Sequence, residues 1–136
     1  MQKGGALLAV VCGLISNEQG EILIARKKVG KSLAGMWEFP GGKIEAESPE
    51  EALIRELREE LGMEIGTPTY FTEVTHAYPT ITICLKAYTA AHLSGPTHLT
   101  DHDLWQWLPV DQLMLLPLAP ADVPIAQQFI ERLKDF

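Results

Sequence analysis

The chain has 136 residues, 46% of them hydrophobic and 21% charged, an ordinary globular balance that fits one domain over 1–136 and needs neither metal nor disulfide to hold a core. A net charge of −7 argues against a protein that clamps long nucleic acid, because such binding neutralises many phosphates with Lys and Arg; a small phosphorylated ligand stays open if a cation screens the acids. The two cysteines, Cys12 and Cys84, lie in apolar runs without Cys-x-x-Cys spacing, which argues against a zinc site or disulfide framework and points to two buried thiols in a reducing compartment.

Lys3 and the apolar run from Ala6 to Ile15 have the outline of a signal peptide, but the run passes straight into Asn17-Glu18-Gln19-Gly20 and a second strand-like run. It therefore reads as a buried strand. No run reaches the roughly 18 apolar residues of a membrane span, so a cytoplasmic chain without membrane contact is expected. Ala6 to Ser16 and Glu21 to Lys28 read as a hairpin joined by the polar turn. A loop with Gly30, Gly35 and Pro40 then leads to Gly41-Gly42, where the backbone can turn sharply and approach a ligand.

Ser48-Pro49-Glu50-Glu51 predicts a helix start, with Ser48 as N-cap, Pro49 at the first helical position and Glu51 closing a capping box; Gly62 supplies the stop. Thr67 to Ala77 and Thr80 to Leu93 read as a strand pair around Tyr78-Pro79, and Leu104 to Leu108 as a short strand. Pro117 and Pro120 precede a final amphipathic helix near Asp122 to Lys134, with Ile125, Phe129, Ile130 and Leu133 on one side. There is no internal repeat, low-complexity tract or linker.

On the helix Ser48 to Leu61, at about 100° per residue, Glu56, Glu59 and Glu60 fall on one edge beside an apolar sector of Leu53, Ile54, Leu57 and Leu61, with Arg55 and Arg58 turned elsewhere. Glu56 and Glu60 are a like-charge i,i+4 pair, which costs roughly 0.2–0.5 kcal/mol in an isolated helix. Glu59 and Glu60 also lie in the last turn, where the macrodipole disfavours anions. A divalent cation reverses both signs, and hard oxygen ligands on one edge suit Mg²⁺ or Mn²⁺. The alternative is a solvated, salt-bridged surface helix.

Arg55-Glu56-Leu57-Arg58-Glu59-Glu60-Leu61-Gly62-Met63 matches the helical half of the Nudix box, Arg-Glu-Φ-x-Glu-Glu-x-Gly-Φ with Φ aliphatic. Five fixed identities at fixed spacing arise by chance on the order of once per 10⁶ starting points. Glu38-Phe39-Pro40-Gly41-Gly42-Lys43-Ile44-Glu45 resembles the loop leading into that box. One departure stands out. The family's loop usually places five residues between its second glycine and the first box glutamate, whereas only Lys43 to Ala46 separate Gly42 from Glu47. The formal spacing of Gly, five residues, Glu, seven residues, Arg is met from Gly41, and the shortening puts a Glu47–Arg55 ion pair and the loop carbonyl in question.

The chain is thus identified as resembling the Nudix hydrolase superfamily, and Lys31-Ser32-Leu33-Ala34-Gly35-Met36-Trp37 with Pro117 to Ile125 leans toward its MutT-type branch, the 8-oxo-dGTP diphosphatases. The resemblance implies an α/β fold, an α/β/α sandwich whose mixed curved sheet lies between the box helix and a C-terminal helix. It implies Mg²⁺- or Mn²⁺-dependent hydrolysis of a nucleoside triphosphate, 8-oxo-dGTP or a related purine nucleotide, to monophosphate and pyrophosphate. Alternatives are an RNA 5′-pyrophosphohydrolase, a broad nucleotide or nucleotide-sugar pyrophosphatase, and a non-catalytic nucleotide-binding module.

By the same resemblance, Glu56, Glu59 and Glu60 hold the metal with the Gly41 carbonyl, and Asp101, six residues before Trp107, is a fourth acid or else a plain loop aspartate. Gly42, Glu47, Arg55 and Gly62 shape the motif. Lys27, where that branch often has arginine, and Lys43 face the substrate; Phe39 and Tyr78 offer aromatic faces; Asp122 offers a polar edge where some relatives carry asparagine, or else caps the last helix. His102 is a candidate base, but His92, His98 and His102 lack ligand spacing and read as surface imidazoles, and His76 is either structural or a ligand contact. The base that removes a proton from water, and the choice between monomer and homodimer, stay open.

Overall fold

The computed structural model describes residues 6–134. Strand β1 (Ala6–Ser16) runs parallel to β7 (Ile81–Ser94) in unbroken register, from Ala6 opposite Ile81 to Ser16 opposite Ala91. β6 (Thr69–Ala77) lies antiparallel on the far edge of β7, and the short β5 (Glu64–Ile65) pairs with the end of that same strand.

The other edge of β1 is divided, and the divide creates the cleft. β4 (Gly41–Lys43) pairs with residues 10–12, while β2 (Ile22–Lys27) touches β1 at the single pair Ser16–Ile22. β2 then departs to pair with β8 (His102–Leu108) and with β3 (Trp37–Glu38). The expected hairpin is therefore a tight turn rather than a ladder. Its turn is made as the sequence suggests, with Asn17 Oδ1 accepting from the Gln19 and Glu21 N–H groups and Gly20 at φ 78°. The ladder stops because β4 takes the edge that a longer hairpin would need.

Helix α1 (Pro49–Leu61) begins and ends where predicted. Ser48 Oγ accepts from the Glu51 N–H at 3.1 Å, Glu51 accepts back from the Ser48 N–H, and Gly62 closes the helix at φ 58°. Its buried residues Leu53, Leu57 and Leu61 pack on Val11, Ile15 and Leu23, each contributing roughly 1.5–3 kcal/mol. The alternate residues of the same strands, Cys12, Leu14, Ile22 and Ile24, face α2 (Val123–Leu133) with its Ile125 and Phe129. Alternation along β1 and β2 thus builds two cores on opposite faces of one mixed sheet, the expected α/β/α layering.

Two details differ from expectation. Leu133, in the last turn of α2, is exposed rather than packed with Phe129. Cys84 is only half-buried, because it shares its sheet face with Lys86 and with Glu73 of β6, whose carboxylate lies 3.8 Å from the thiol; Cys12 is buried as expected. Among the described residues no helix is long and apolar enough to cross a membrane.

Candidate active site

A cleft of about 580 Å³ opens at the fork where β4 and β2 part from β1. One end is acidic, formed by Glu56 and Glu60 of α1, the Gly41-Gly42 strand and Asp101 at the mouth of β8. The other is aromatic and polar, formed by Phe39, Tyr78, Glu38, His102 and Asp122. Lys27 and Lys43 line the same space. Among the carboxylates expected to hold the metal, Glu59 does not line it; its carboxylate bonds Arg55 at 3.1 Å.

At the acidic end, Glu60 and Asp101 form a close carboxyl pair. Burial, then the hydrogen bond and charge of Asp101, push Glu60 up to about 7. Burial also raises Asp101, but its bond from Glu60 and the Lys31 ammonium at 3.0 Å outweigh this and leave it below the usual range. Glu60 is therefore the member of the pair that takes up a proton first as pH falls. Oε1 of Glu60 is buried without a hydrogen-bond partner. Glu56 is raised chiefly by burial, with Arg55 pulling the other way.

Arg55 is not turned away from this edge, as the helical wheel suggested. Its long side chain folds back along the helix, so that Nε reaches Glu47 at 2.6 Å, Nη1 reaches Glu56 and Glu59 at 2.9 and 3.1 Å, and Nη2 donates to the Lys43 carbonyl at 3.1 Å. The Glu47–Arg55 pair thus survives the shortened loop. Glu47 Oε1 also accepts from the Glu45 N–H at 2.7 Å, which braces the turn from inside.

The two glycines serve different neighbours. A Cβ on Gly41 would collide with the Val11 carbonyl of β1, whereas one on Gly42 would collide with the Glu56 carboxylate. Gly42 is therefore the gap through which Glu56 reaches the cleft.

Among the described residues no three His, Cys, Asp or Glu side chains converge closely enough to hold a metal as they stand. The chemistry of the donor set nevertheless suits a hard divalent cation. A buried orphan oxygen on Glu60, a close carboxyl pair and Glu56 against a side-chain-free Gly42 are all arrangements that such a cation would relieve.

At the aromatic end, Asp122 does not cap α2. Its carboxylate turns inward, where Oδ2 accepts from the Phe39 N–H at 2.8 Å. Burial, then the charge of Glu38, hold its pKa well above the ordinary range. Tyr78 Oη accepts from the Ala121 N–H at 3.3 Å, and the His76 ring lies 4.5 Å from the Tyr78 ring. His102 is buried, against the expectation of a surface imidazole, because β8 enters the sheet at that residue and Glu38 receives its ring at 2.8 Å. His92 instead rests on Trp107 and the Gly95 carbonyl, and His98 on the Glu59 carbonyl at the end of α1.

Glu38 and His102 are cleft groups that sequence reading missed or misplaced, and Lys31 adds an ion pair to the cleft's Asp101 at 3.0 Å. Glu38 stood in the quoted approach to the box, and its position directly before Phe39 on a strand would have put it on the adjoining face of the same turn.

Comparison with known proteins fits this geometry. The family described as NUDIX domain matches residues 11–128. The CTP pyrophosphohydrolase of Escherichia coli (strain K12) is 35% identical over 91% of this chain and 92% of its own length. The 8-oxo-dGTP diphosphatase of the same organism is 32% identical over 87% of this chain and 92% of its own. A crystal structure of the MutT protein from Methanosarcina mazei Go1 superposes with a TM-score of 0.88 at 23% identity, covering 98% of this chain and 99% of that one.

Proposed function

Because the chain belongs to the Nudix family and is a pyrophosphohydrolase of its MutT-like part, we propose that its substrate is a nucleoside triphosphate, cleaved with Mg²⁺ or Mn²⁺ to the monophosphate and pyrophosphate. The observation that carries this reading is that one cleft joins a carboxylate end with an orphan Glu60 oxygen to an aromatic end of nucleobase character.

The roles divide along that cleft. Glu56, Glu59, Glu60, Asp101 and the Gly41 carbonyl would hold the cation, which when bound supplies charge neutralisation at the phosphates and a more acidic water. Glu59 reaches that set by leaving Arg55, to which it is now bonded. Lys27 and Lys43 meet the phosphate oxygens as point charges. Phe39 and Tyr78 flank the base, and Asp122 and Glu38 face its polar edge. Water adds to a phosphorus, the anhydride P–O bond breaks, and a carboxylate of the acidic end accepts the water's proton.

For the base, 8-oxo-dGTP or a related purine is the reading that the diphosphatase relatives support. Asp122 favours a second, cytidine triphosphate. Its raised pKa favours the carboxyl form, which both donates and accepts, the complement of the ring nitrogen and amino group of cytosine, and the relative named for CTP agrees. The test is monophosphate and pyrophosphate release from CTP, dCTP, GTP, dGTP, 8-oxo-dGTP and triphosphorylated RNA, with Mg²⁺ and with EDTA. Metal-dependent release from a triphosphate supports the reading; binding without turnover under any metal makes the chain a nucleotide-binding module.

A further inference from the structure

We propose that His102 is a positioning residue that sets base discrimination by fixing Glu38, so that the cleft prefers a nucleobase carrying an exocyclic amino group over its oxo counterpart. The proposal rests on the nucleotide reading above and adds to it a residue and a chemical rule.

His102 opens β8 opposite Lys27 of β2, and its side chain is 3% exposed. Nε2 lies 2.8 Å from Glu38 Oε2, while Nδ1 is buried with no partner. In the neutral ring the proton is therefore on Nε2, which donates to Glu38 and leaves Nδ1 as a bare acceptor. An unpartnered buried nitrogen is unfavourable, and the fold does not need this contact, since β2 is already paired with both β3 and β8.

What the contact achieves is local to the cleft. Glu38 is 22% exposed, stands among Cys12, Tyr78 and Asp122, and shares the cleft with Lys27 and Lys43. Untethered, its flexible carboxylate would swing to a lysine. Tethered, it remains an anionic acceptor beside the Asp122 carboxyl. A fixed acceptor there takes a hydrogen of an exocyclic amino group, whereas an oxo group in that place sets its lone pairs against the Glu38 carboxylate and leaves it unpaired.

The experiment measures dissociation constants for CMP against UMP and AMP against IMP by calorimetry, with parent, H102A, H102Q and E38Q proteins whose folds are checked by circular dichroism. Parent protein is expected to prefer the amino-bearing member of at least one pair by about tenfold or more. H102A and E38Q each bring that ratio below about threefold, the double variant goes no further than either single one, and H102Q, whose amide can still donate to Glu38, restores part of it. If H102A fails to fold, H102Q and E38Q carry the same comparison. Equal weakening of both members of a pair in H102A, or a parent without preference in either pair, overturns the proposal. A parent that binds no nucleotide overturns the nucleotide reading with it.

Discussion

Arg55 Nε lies 2.6 Å from Glu47 Oε2, so the first and second halves of the box are joined although only four residues separate Gly42 from Glu47. Inserting one glycine after Ala46, to restore the usual loop length, is therefore expected to bring no gain in kcat/KM. Arg55→Lys, which keeps the charge but not the planar fork, should lower Tm by several degrees. Steady-state assays and thermal melts check both; a tenfold gain from the insertion would show the short loop to be a handicap.

Gly41→Ala and Gly42→Ala should fail in different ways. The first drives a methyl group into the Val11 carbonyl and should destabilise the fold by about 1–3 kcal/mol or more, read from the urea midpoint. The second meets the Glu56 carboxylate instead, so the protein should fold but lose about 100-fold in kcat/KM, the scale of a misplacement near 1 Å.

Asp122 gives a pH signature. Its folded pKa is raised, first by burial and then by Glu38, so the stability linked to its proton is fully present below the unfolded value of about 3.9 and is lost as pH rises toward the folded value. Asp122→Asn keeps an oxygen for the Phe39 N–H without titrating. Parent stability should thus fall relative to Asp122→Asn as pH is raised from 4, in paired urea melts; parallel curves would place the proton elsewhere.

Glu60→Gln should abolish metal-dependent turnover. Saturating Mn²⁺ should raise the parent Tm by several degrees and that of Glu60→Gln by less than about 1 °C, since ligand binding to the folded state stabilises by mass action. An equal rise in both proteins would move the cation away from the Glu60–Asp101 pair.

Much of the fold was legible because local signals agreed. Ser48, Glu51 and Gly62 fix α1 through short-range capping, and the alternation of Val11 and Ile15 with Cys12 and Leu14 assigns the two faces of β1. The splay of β2 from β1 was not legible, because it depends on β4, a three-residue strand of Gly41, Gly42 and Lys43 with no strand propensity of its own. At the site, the box acids followed from spacing within one helix. Glu38 and His102 lie 64 residues apart and meet only because β3 and β8 both pair with β2. Arg55 was misread for a related reason: a helical wheel gives the direction of Cβ, not where a long side chain ends.

The divided edge of β1 also bears on how such a protein can change over evolutionary time. The acids of α1 hang from one branch of the fork, and Glu38, His102 and Asp122 from the other branch and the segment before α2. Substitutions at the aromatic end leave Glu56 and Glu60 on their own support, with Asp101 beside His102 as the point where the two ends meet. The α1 acids can thereby stay in place while the far end of the cleft changes, and two relatives named for different triphosphates are each similar to this chain along most of its length.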